Sequence, residues 1–592
     1  MRMSWNYEAP LRDMRFVLEH VLDAPAAWAQ CPAHAELDLD TACAVLEQGA
    51  RFARERLLPL NATGDRQGCR LQPDGGVRTP DGFRDAYEAF VAAAWPALAG
   101  PPRWGGQGLP LLLDGLVREM FDACNHAWNM YPDLLHGAVQ TLAAHADDAC
   151  RARYLPALVS GQWLAAMALT EPQAGSDLGL LRTRAQPQPD GSLRVRGSKI
   201  FISGGEHDLS ENIVHLVLCR LPDAARGSRG LSLALVPKFL PDGSRNAMVC
   251  EGLEHKMGLQ ASATCAMRYD DAVGWLVGEP GRGLAAMFVM MNSARLHVAL
   301  QGLGHAEMAT QNALRYALER RQSRVAGARA AAGGATADPI ARHAAMRHVL
   351  LGLQAQVEAG RVIAARAALA LDLAEQHRDA AVRQAAQARA ALLTPLLKAQ
   401  LTRLGFDGAS AALQVFGGYG YVREYGIEQS LRDARIAMIY EGTNEIQAID
   451  LLQRKLLGDR GAALRALLQE CLDEARACDG PQQARPFAEA LRGQCDAAAR
   501  ALDALLALEH EPAATSALAQ DVMEALWWLL CAWAFASSAR AALGLHDGDA
   551  RWRQAKLERM GYARDWLLPR ASLHWQRITA GAALLPELPA AQ

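Results

Sequence analysis

Several things are scarce in this chain of 592 residues. Aromatic residues make up only 6% of it, so aliphatic and small side chains must fill the core. Alanine-rich helices packed closely together are the expected solution. Neither sign of charge dominates: 61 basic against 64 acidic residues leave a formal net charge of −3. That excludes a global attraction for nucleic acid or an anionic membrane, while a local basic patch stays open. The 12 cysteines include no C-x-x-C pair and no Cys/His cluster at zinc-ligand spacing, so no metal site and no disulfide framework are expected. Cys43, Cys219, Cys265 and Cys531 lie in apolar stretches and read as free buried thiols. The opening Met1-Arg2-Met3-Ser4-Trp5-Asn6-Tyr7-Glu8 has no hydrophobic signal core, which fits a cytoplasmic protein. The most apolar run, Ala525 to Ala536, is bounded by Glu524 and Arg540 and is too short to cross a bilayer. A helix buried in a bundle is expected there, and no membrane span.

The length implies three or four structural units, and three textures succeed one another. Up to about Gln162 the pattern is helical, as in Thr41 to Leu58, where Ala42, Val45, Leu46 and Ala50 recur at spacings of three and four. From Trp163 to Arg282, Leu193/Val195 and Leu231/Leu233/Leu235 alternate, Ile213-Val214 is β-branched, and Pro189-Asp190-Gly191 and Pro241-Asp242-Gly243 signal turns. This predicts a small antiparallel β domain. After Gly283 the chain is helical again. Ala326 to Asp338 reads as a mobile loop between long helices. Breaks at Gly458-Asp459-Arg460 and Asp479-Gly480-Pro481 set off a helical tail without a chemical motif, read as packing or oligomerisation material.

Three stretches carry possible chemistry. In Thr170-Glu171-Pro172-Gln173-Ala174-Gly175-Ser176-Asp177, proline and glycine bend the backbone toward a ligand, and the hydroxyls suit a polar cofactor edge; on composition alone a plain turn is the better reading. Gly197-Ser198-Lys199-Ile200-Phe201-Ile202-Ser203-Gly204-Gly205 is a strand ending in glycines, whose Phe201 on its own belongs to a core. The third comprises Gln414-Val415-Phe416-Gly417-Gly418-Tyr419-Gly420-Tyr421, Arg432-Asp433-Ala434-Arg435 and Tyr440-Glu441-Gly442-Thr443-Asn444-Glu445-Ile446-Gln447. Asn444 with Gln447 resembles a helix start, followed by Ile446, Ile449, Leu452 and Leu456 at helical spacing. Glu441 then falls in a turn before a helix, beside a glycine that leaves room for a substrate, where a carboxylate can serve as a positioned base. Glu445 reads as part of a solvated face, and Arg432 to Arg435 as local ion pairs.

These stretches, with Glu254 to Gly258 (EHKMG) and Ala317 to Arg324 (ALERRQSR), resemble the acyl-CoA dehydrogenase family and occur in its order from roughly Trp104 to Leu457. Tyr7 to Asp23, Asn129 to Ala138, Met290 to Leu296 and the long tail resemble its large bacterial subgroup that includes 3-methylmercaptopropionyl-CoA dehydrogenase. The resemblance implies a mainly α protein with a central antiparallel β-barrel domain: an N-terminal extension (1–36), a helical domain (37–162), the barrel (163–282), a four-helix domain (283–457) and an additional helical domain (458–592). It implies FAD as cofactor, an acyl-CoA substrate (medium or long chain, or 3-methylmercaptopropionyl-CoA), electron-transfer flavoprotein as electron acceptor, and a homodimer. Glu441 would be the base. Met167, Leu169 and Thr170 would line the flavin on one side, and Phe201, Ile202 and Ser203 on the other. Arg320, Gln322 and Gln414, Val415, Phe416, Gly417 and Gly418 would hold its diphosphate–adenine half across a subunit interface, and Thr443 and Asn444 would also approach FAD. Ser176, Asn292 and Arg295 would contact coenzyme A, and Gly442 the acyl chain. Phe201 stands where many relatives have tryptophan, Met167 where many have an aromatic, and Asn292 where some have an acid. Ala294 occupies the position at which some members carry the base, so Glu441 has no rival.

The reaction so implied removes the α-proton by Glu441 and passes the β-hydrogen as hydride to flavin, giving a trans-2-enoyl-CoA. Hydrogen bonds to the thioester oxygen, from the base's own N–H and from FAD, would make that proton removable, and desolvation by the acyl chain would strengthen the base. Two other functions compete. An AidB-like flavoprotein would bind DNA, but Arg460, Arg465, Arg476 and Arg485 of the tail are interleaved with acids and form no cluster. An acyl-CoA oxidase would differ only in oxygen access to the reduced flavin.

Overall fold

The computed structural model describes residues 5–326, 337–545 and 549–581; the loop expected at 326–338 falls largely outside them. The chain divides into two units, one of Met1–Gln48, Leu111–Glu119 and Val298–Gln592, the other of Gly49–Pro110 and Met120–His297.

In the second unit, seven strands form one sheet: β1 (Trp163–Ala168), β2 (Arg184–Pro187), β3 (Leu193–Ser203), β4 (Asn212–Arg220), β5 (Leu231–Pro237), β6 (Met248–Leu253) and β7 (Thr264–Val277). The sheet closes on itself. Pairs β4–β5, β5–β7, β7–β3 and β3–β2 are antiparallel, and β2 returns to β4 through the single parallel pair Arg184↔Arg220. β1 also runs parallel to β4, from Trp163↔Asn212 to Ala168↔Val217, and β6 pairs antiparallel with β7. The barrel is therefore mixed, not antiparallel throughout. A parallel pair needs a long crossover, here the segment carrying β2 and β3, and the turn signals of the sequence mark only local reversals. Those turns do form: Asp190 and Asp242 each accept the N–H two residues on, from Ser192 and Ser244, both at 2.9 Å, and Gly191 and Gly243 take φ of 83° and 84°. β3 alternates buried and exposed as expected, whereas β4 and β5 are buried at nearly every position.

One ion pair ties the loop after β1 to β3. Lys199 and Glu171 are both buried; Lys199 Nζ donates to Glu171 Oε1 and to the Leu169 carbonyl, both at 2.9 Å. Glu171 also accepts the Arg182 and Thr183 amides at 2.7 and 3.0 Å, and Ile200 N donates to Thr170 O at 2.9 Å. Just beyond Lys199, β3 carries one residue more than β7 between the pairs Lys199↔Met267 and Ile202↔Cys265. Such a bulge re-aims a side chain.

In the first unit, long helices lie in close contact: α1 (Gly283–Glu319, from Val298 on), α2 (Ala344–Gln376) and α3 (Ala380–Phe416). Glycine permits the approach, since a Cβ on Gly302 would fall 2.2 Å from the Leu401 carbonyl oxygen. After the short helix α4 (Asn444–Ile449) come α5 (Ala462–Ala477), α6 (Arg485–Ala507), α7 (Pro512–Leu543), α8 (Ala550–Trp566) and α9 (Ala571–Ala580). The apolar run at 525–536 is the middle of α7. The whole helix, unlike the run, is long and apolar enough to cross a membrane, but 94% of its most apolar window is buried, against α5, α6 and α9. It is a core helix. Cys219, Cys265 and Cys531 are free and buried as expected, and Cys43 is only half-buried.

A buried charge network joins the C-terminal helices to the rest of this unit. Arg361 on α2 is bidentate to Glu119, Nη2 to Oε1 at 2.6 Å and Nε to Oε2 at 3.1 Å, and reaches Asp13 at 2.6 Å and also Glu307. Lys556 on α8 is buried, binds Asp13, and reaches Glu358 at 2.9 Å. Burial alone would raise the Asp13 carboxyl, but Lys556 and Arg361 outweigh it and hold it at about 2.

Lys556→Met leaves Asp13 and Glu358 short of a cation and should destabilise the protein by about 3 kcal/mol, read as a lower urea midpoint with helicity as the probe; an unchanged midpoint would assign the network no energetic role. For Glu171, burial pushes the carboxyl up, yet Lys199 and the hydrogen bonds from Thr183 and Arg182 hold it at about 2, against 4.5 for a free glutamate. A depressed carboxylate stabilises fully above its unfolded value, and that stability is lost as pH falls through the folded one. Lys199→Met should therefore cost about 3 kcal/mol at neutral pH, and its difference from the native chain should narrow as pH falls from about 4.5 towards 2.

Candidate active site

Glu441 stands on a turn that precedes α4. Thr443 caps the helix, its Oγ1 accepting the Ile446 N–H at 3.4 Å. The helix starts at Asn444 as expected, with Thr443 as its cap, and the Asn444 side chain is drawn inward: Nδ2 donates to the Ala399 carbonyl at 2.9 Å, and Oδ1 accepts from Lys398 Nζ at 3.1 Å. Leu452 and Leu456 are fully buried as their spacing predicts, but Ile446 and Ile449 are each 37% exposed.

The turn is strained and pinned. Glu441 has φ 56° and Gly442 φ 85°, two successive left-handed residues. Glycine adopts that conformation freely, whereas for glutamate it costs about 1–2 kcal/mol. Both following carbonyls are held by buried donors. Gln447 Nε2 donates to Glu441 O at 3.1 Å and to Gly442 O at 3.4 Å, and Lys398 Nζ to Gly442 O at 2.6 Å. Next to the base, the Tyr440 hydroxyl donates to Gln301 on α1. The Glu441 side chain is half-buried.

Also in the first unit, a cleft of about 520 Å³ is lined by Tyr316, Arg320, Gln322, Ile340, Val415, Phe416, Gly417, Gly418, Tyr419 and Val422. Phe416 stacks on Tyr316 with ring centroids 4.3 Å apart, and it and Val415 are core residues. At Gly417, with φ 62°, and at Gly418 an added Cβ would meet nothing within 4 Å, so the backbone is open to a ligand. The Arg320 guanidinium lies 5.6 Å from the Tyr419 ring centroid. Gln414 is exposed and does not line the cleft.

In the second unit, the bulge in β3 overturns the expectation that Phe201 packs in a core. Phe201 takes φ 59° and is 58% exposed, while Ile202 beside it is buried and Ser203 half-buried. Met167 and Thr170 are half-buried and Leu169 is nearly so completely. Ser176 is exposed on its loop. On the first turns of α1, Asn292 is exposed, and its Oδ1 lies 3.5 Å from Nη1 of the buried Arg295.

Glu445 is exposed, and hydrogen bonds at the start of α4, from its own amide and Thr443, lower its carboxyl. Arg432 pairs with Glu428 at 2.6 Å, and Asp433 is buried against Gln429, while the Arg435 guanidinium lies 5.5 Å from the Phe406 ring centroid. Sequence reasoning missed Lys199, Lys398 and Gln447. A signal existed for Lys398: it lies beside Leu396, Leu397 and Leu401, and lysine enters an apolar stretch rarely unless it has partners there.

Residues 166–272 match the family description "Acyl-CoA dehydrogenase, middle domain", residues 281–456 "Acyl-CoA dehydrogenase, C-terminal domain" and residues 463–589 "Acetyl-CoA dehydrogenase C-terminal like". The chain is 42% identical to the 3-methylmercaptopropionyl-CoA dehydrogenase of Ruegeria pomeroyi, over 98% of this chain and 99% of that one. It is 34% identical to a broad-specificity linear acyl-CoA dehydrogenase of Mycobacterium tuberculosis, over 79% of each. Among solved structures, Caenorhabditis elegans ACDH-11 in complex with C11-CoA shares the fold at a TM-score of 0.77 and 18% identity, covering 95% of this chain and 92% of that one. The chain belongs to the acyl-CoA dehydrogenase family and is an oxidoreductase acting on CH–CH donors.

Proposed function

We propose that the chain oxidises an acyl-CoA thioester to the trans-2-enoyl-CoA, with Glu441 removing the α-proton. The observation that carries this reading is a half-buried carboxylate on a pinned left-handed turn, with glycine beside it. The α-hydrogen of a thioester is very weakly acidic, and a carboxylate in water is too weak a base to remove it. Hydrogen bonding to the thioester oxygen supplies the missing stabilisation, and the Glu441 N–H is the donor this chain contributes. Gly442 lets the acyl chain approach the backbone. Ser176, Asn292 and Arg295 are the candidate coenzyme A contacts.

The residues fit FAD. The backbone of Gly417 and Gly418 is open in a cleft walled by the Arg320 cation, which suits a diphosphate, and Phe201 presents an exposed flat face. Arg320, Gln322 and residues 414–418 would hold the diphosphate–adenine half; Met167, Leu169, Thr170, Phe201, Ile202 and Ser203 would hold the ring, and Thr443 and Asn444 would also approach FAD. FAD, when bound, supplies the two-electron acceptor for the β-hydrogen, and electron-transfer flavoprotein would reoxidise it. A homodimer is supported by the apolar residues near the Arg320 cleft: Tyr421 is 86% exposed, Leu318 57% and Val422 41%. Identity along nearly the whole chain to the Ruegeria pomeroyi enzyme favours 3-methylmercaptopropionyl-CoA as substrate, and the Mycobacterium tuberculosis relative supports linear acyl-CoAs.

Glu441→Gln should retain flavin and bind acyl-CoA but lose about 10⁴-fold in turnover, the upper end of what a general base contributes; near-native turnover would reject the assignment. Arg320→Ala should lower the flavin-to-protein absorbance ratio of the purified enzyme, and an unchanged ratio would remove Arg320 from the cofactor site. Anaerobic titration with 3-methylmercaptopropionyl-CoA and linear acyl-CoAs of graded length should bleach the flavin, most completely with the true substrate. A flavin that stays oxidised with every thioester would rule out the proposed dehydrogenation.

A further inference from the structure

We propose that Lys398 is a positioning residue for Glu441, fixing the left-handed turn from which the carboxylate works; this rests on the reading of Glu441 as the base. The turn has two soft points, the backbone torsions at Glu441 (φ 56°) and Gly442 (φ 85°). The carbonyls of these two residues lie in the two peptide planes that flank Gly442, so holding both fixes the backbone of Gly442 and the ψ of Glu441. Gln447 Nε2 holds the Glu441 carbonyl at 3.1 Å, and Lys398 Nζ holds the Gly442 carbonyl at 2.6 Å. The second bond is the shorter, and an ionised donor makes it the stronger. A second contact, from Nζ to Asn444 Oδ1 at 3.1 Å, fastens the same ammonium to the first residue of α4.

The platform is rigid. Lys398 lies within α3, fully buried. Its own carbonyl accepts the Thr402 hydroxyl at 2.7 Å, and the Ala399 carbonyl accepts Asn444 Nδ2 at 2.9 Å. Two features of the turn, the Gly442 carbonyl and the Asn444 side chain, are thus referred to one turn of α3. Removing the ammonium would leave the half-buried Gly442 carbonyl with the longer Gln447 contact at 3.4 Å. Glu441, disfavoured in its left-handed conformation, would relax and carry its carboxylate away from the reacting carbon. Chemistry that depends on a near-attack geometry is sensitive to such a shift.

The test compares Lys398→Met and Lys398→Gln with Glu441→Gln in the flavin-loaded enzyme. The measurements are kcat, KM, flavin content, thermal midpoint and the rate at which solvent deuterium enters the α-carbon of a saturated acyl-CoA in D₂O. Lys398→Met should keep flavin and KM near native, while kcat and deuterium entry fall together by about 10²-fold. Lys398→Gln, which keeps a donor without the charge, should recover about tenfold of that loss, as befits the difference between an ionised and a neutral donor. A merely structural lysine would change the midpoint, flavin content or KM and leave kcat and exchange of the folded enzyme native, and that outcome overturns the proposal. Should Lys398→Met not fold, Lys398→Gln decides on the same readouts: native kcat and exchange overturn the proposal, and a joint fall with native KM supports it. An inactive Glu441→Gln beside native Lys398 variants would remove this inference alone, whereas an active Glu441→Gln would remove the base itself.

Discussion

Buried lysine ammoniums hold backbone carbonyls at both motif-bearing turns, and the local geometry depends on them. Lys199 reaches the Leu169 carbonyl in the second unit, and Lys398 the Gly442 carbonyl in the first. Taking an ammonium out of water costs several kcal/mol unless it is well partnered, so neither residue is explained by packing. Lys199 has the Glu171 carboxylate, itself held by two amides. Lys398 has a carbonyl and an amide oxygen among its partners. In both places the charge sits where a loop must not move, and a loop carries too few apolar contacts to hold itself still.

The strain in the two units has the same logic. Phe201 and Glu441 are both non-glycine residues with positive φ, at 59° and 56°. Left to itself, each would return to an ordinary conformation, Phe201 into the sheet and Glu441 into the turn. The pairing of β3 with β7 on both sides of the bulge prevents the first, and Gln447 and Lys398 prevent the second. Strained residues persist only where the surroundings over-determine them, and here the over-determining contacts are known one by one.

Much of the architecture was legible in residue pattern. The helical, β, helical order, the turns at 189–191 and 241–243 and the buried run at 525–536 rest on local rules of periodicity and turn chemistry. The parallel pairing of β1 with β4 was not legible, because it joins segments far apart in the chain and leaves no local mark. Phe201 failed for a related reason: an aromatic in a strand packs inward unless the register slips, and the slip depends on β7, not on the residues around Phe201. The helix start at Asn444 was legible, but the cap one residue earlier was not: Thr443 supplies it, while Asn444 turns its side chain to Lys398 and the Ala399 carbonyl. For the site, the stretches were visible as motifs, while the residues that hold them in place were not. Lys199 and Lys398 reach partners 28 to 46 residues away in the chain, which leave no local spacing to betray them, although the apolar neighbours of Lys398 mark it as unusual.

The low aromatic content can now be connected to the placement of the base. Lys398 can reach the Gly442 carbonyl only if α3 lies close to the turn, and α3 is itself drawn against α1 through Gly302 and Gly405, where a Cβ would come within 2.6 Å or less of the opposite backbone. Bulky side chains at those crossings would push the helices apart, and a lysine, whose stem is of fixed length, could not make up the difference. Small residues in the helical core and a charged anchor at the turn are therefore parts of one arrangement. The composition sets how near the backbones come, and that nearness lets a single ammonium hold the segment bearing Glu441.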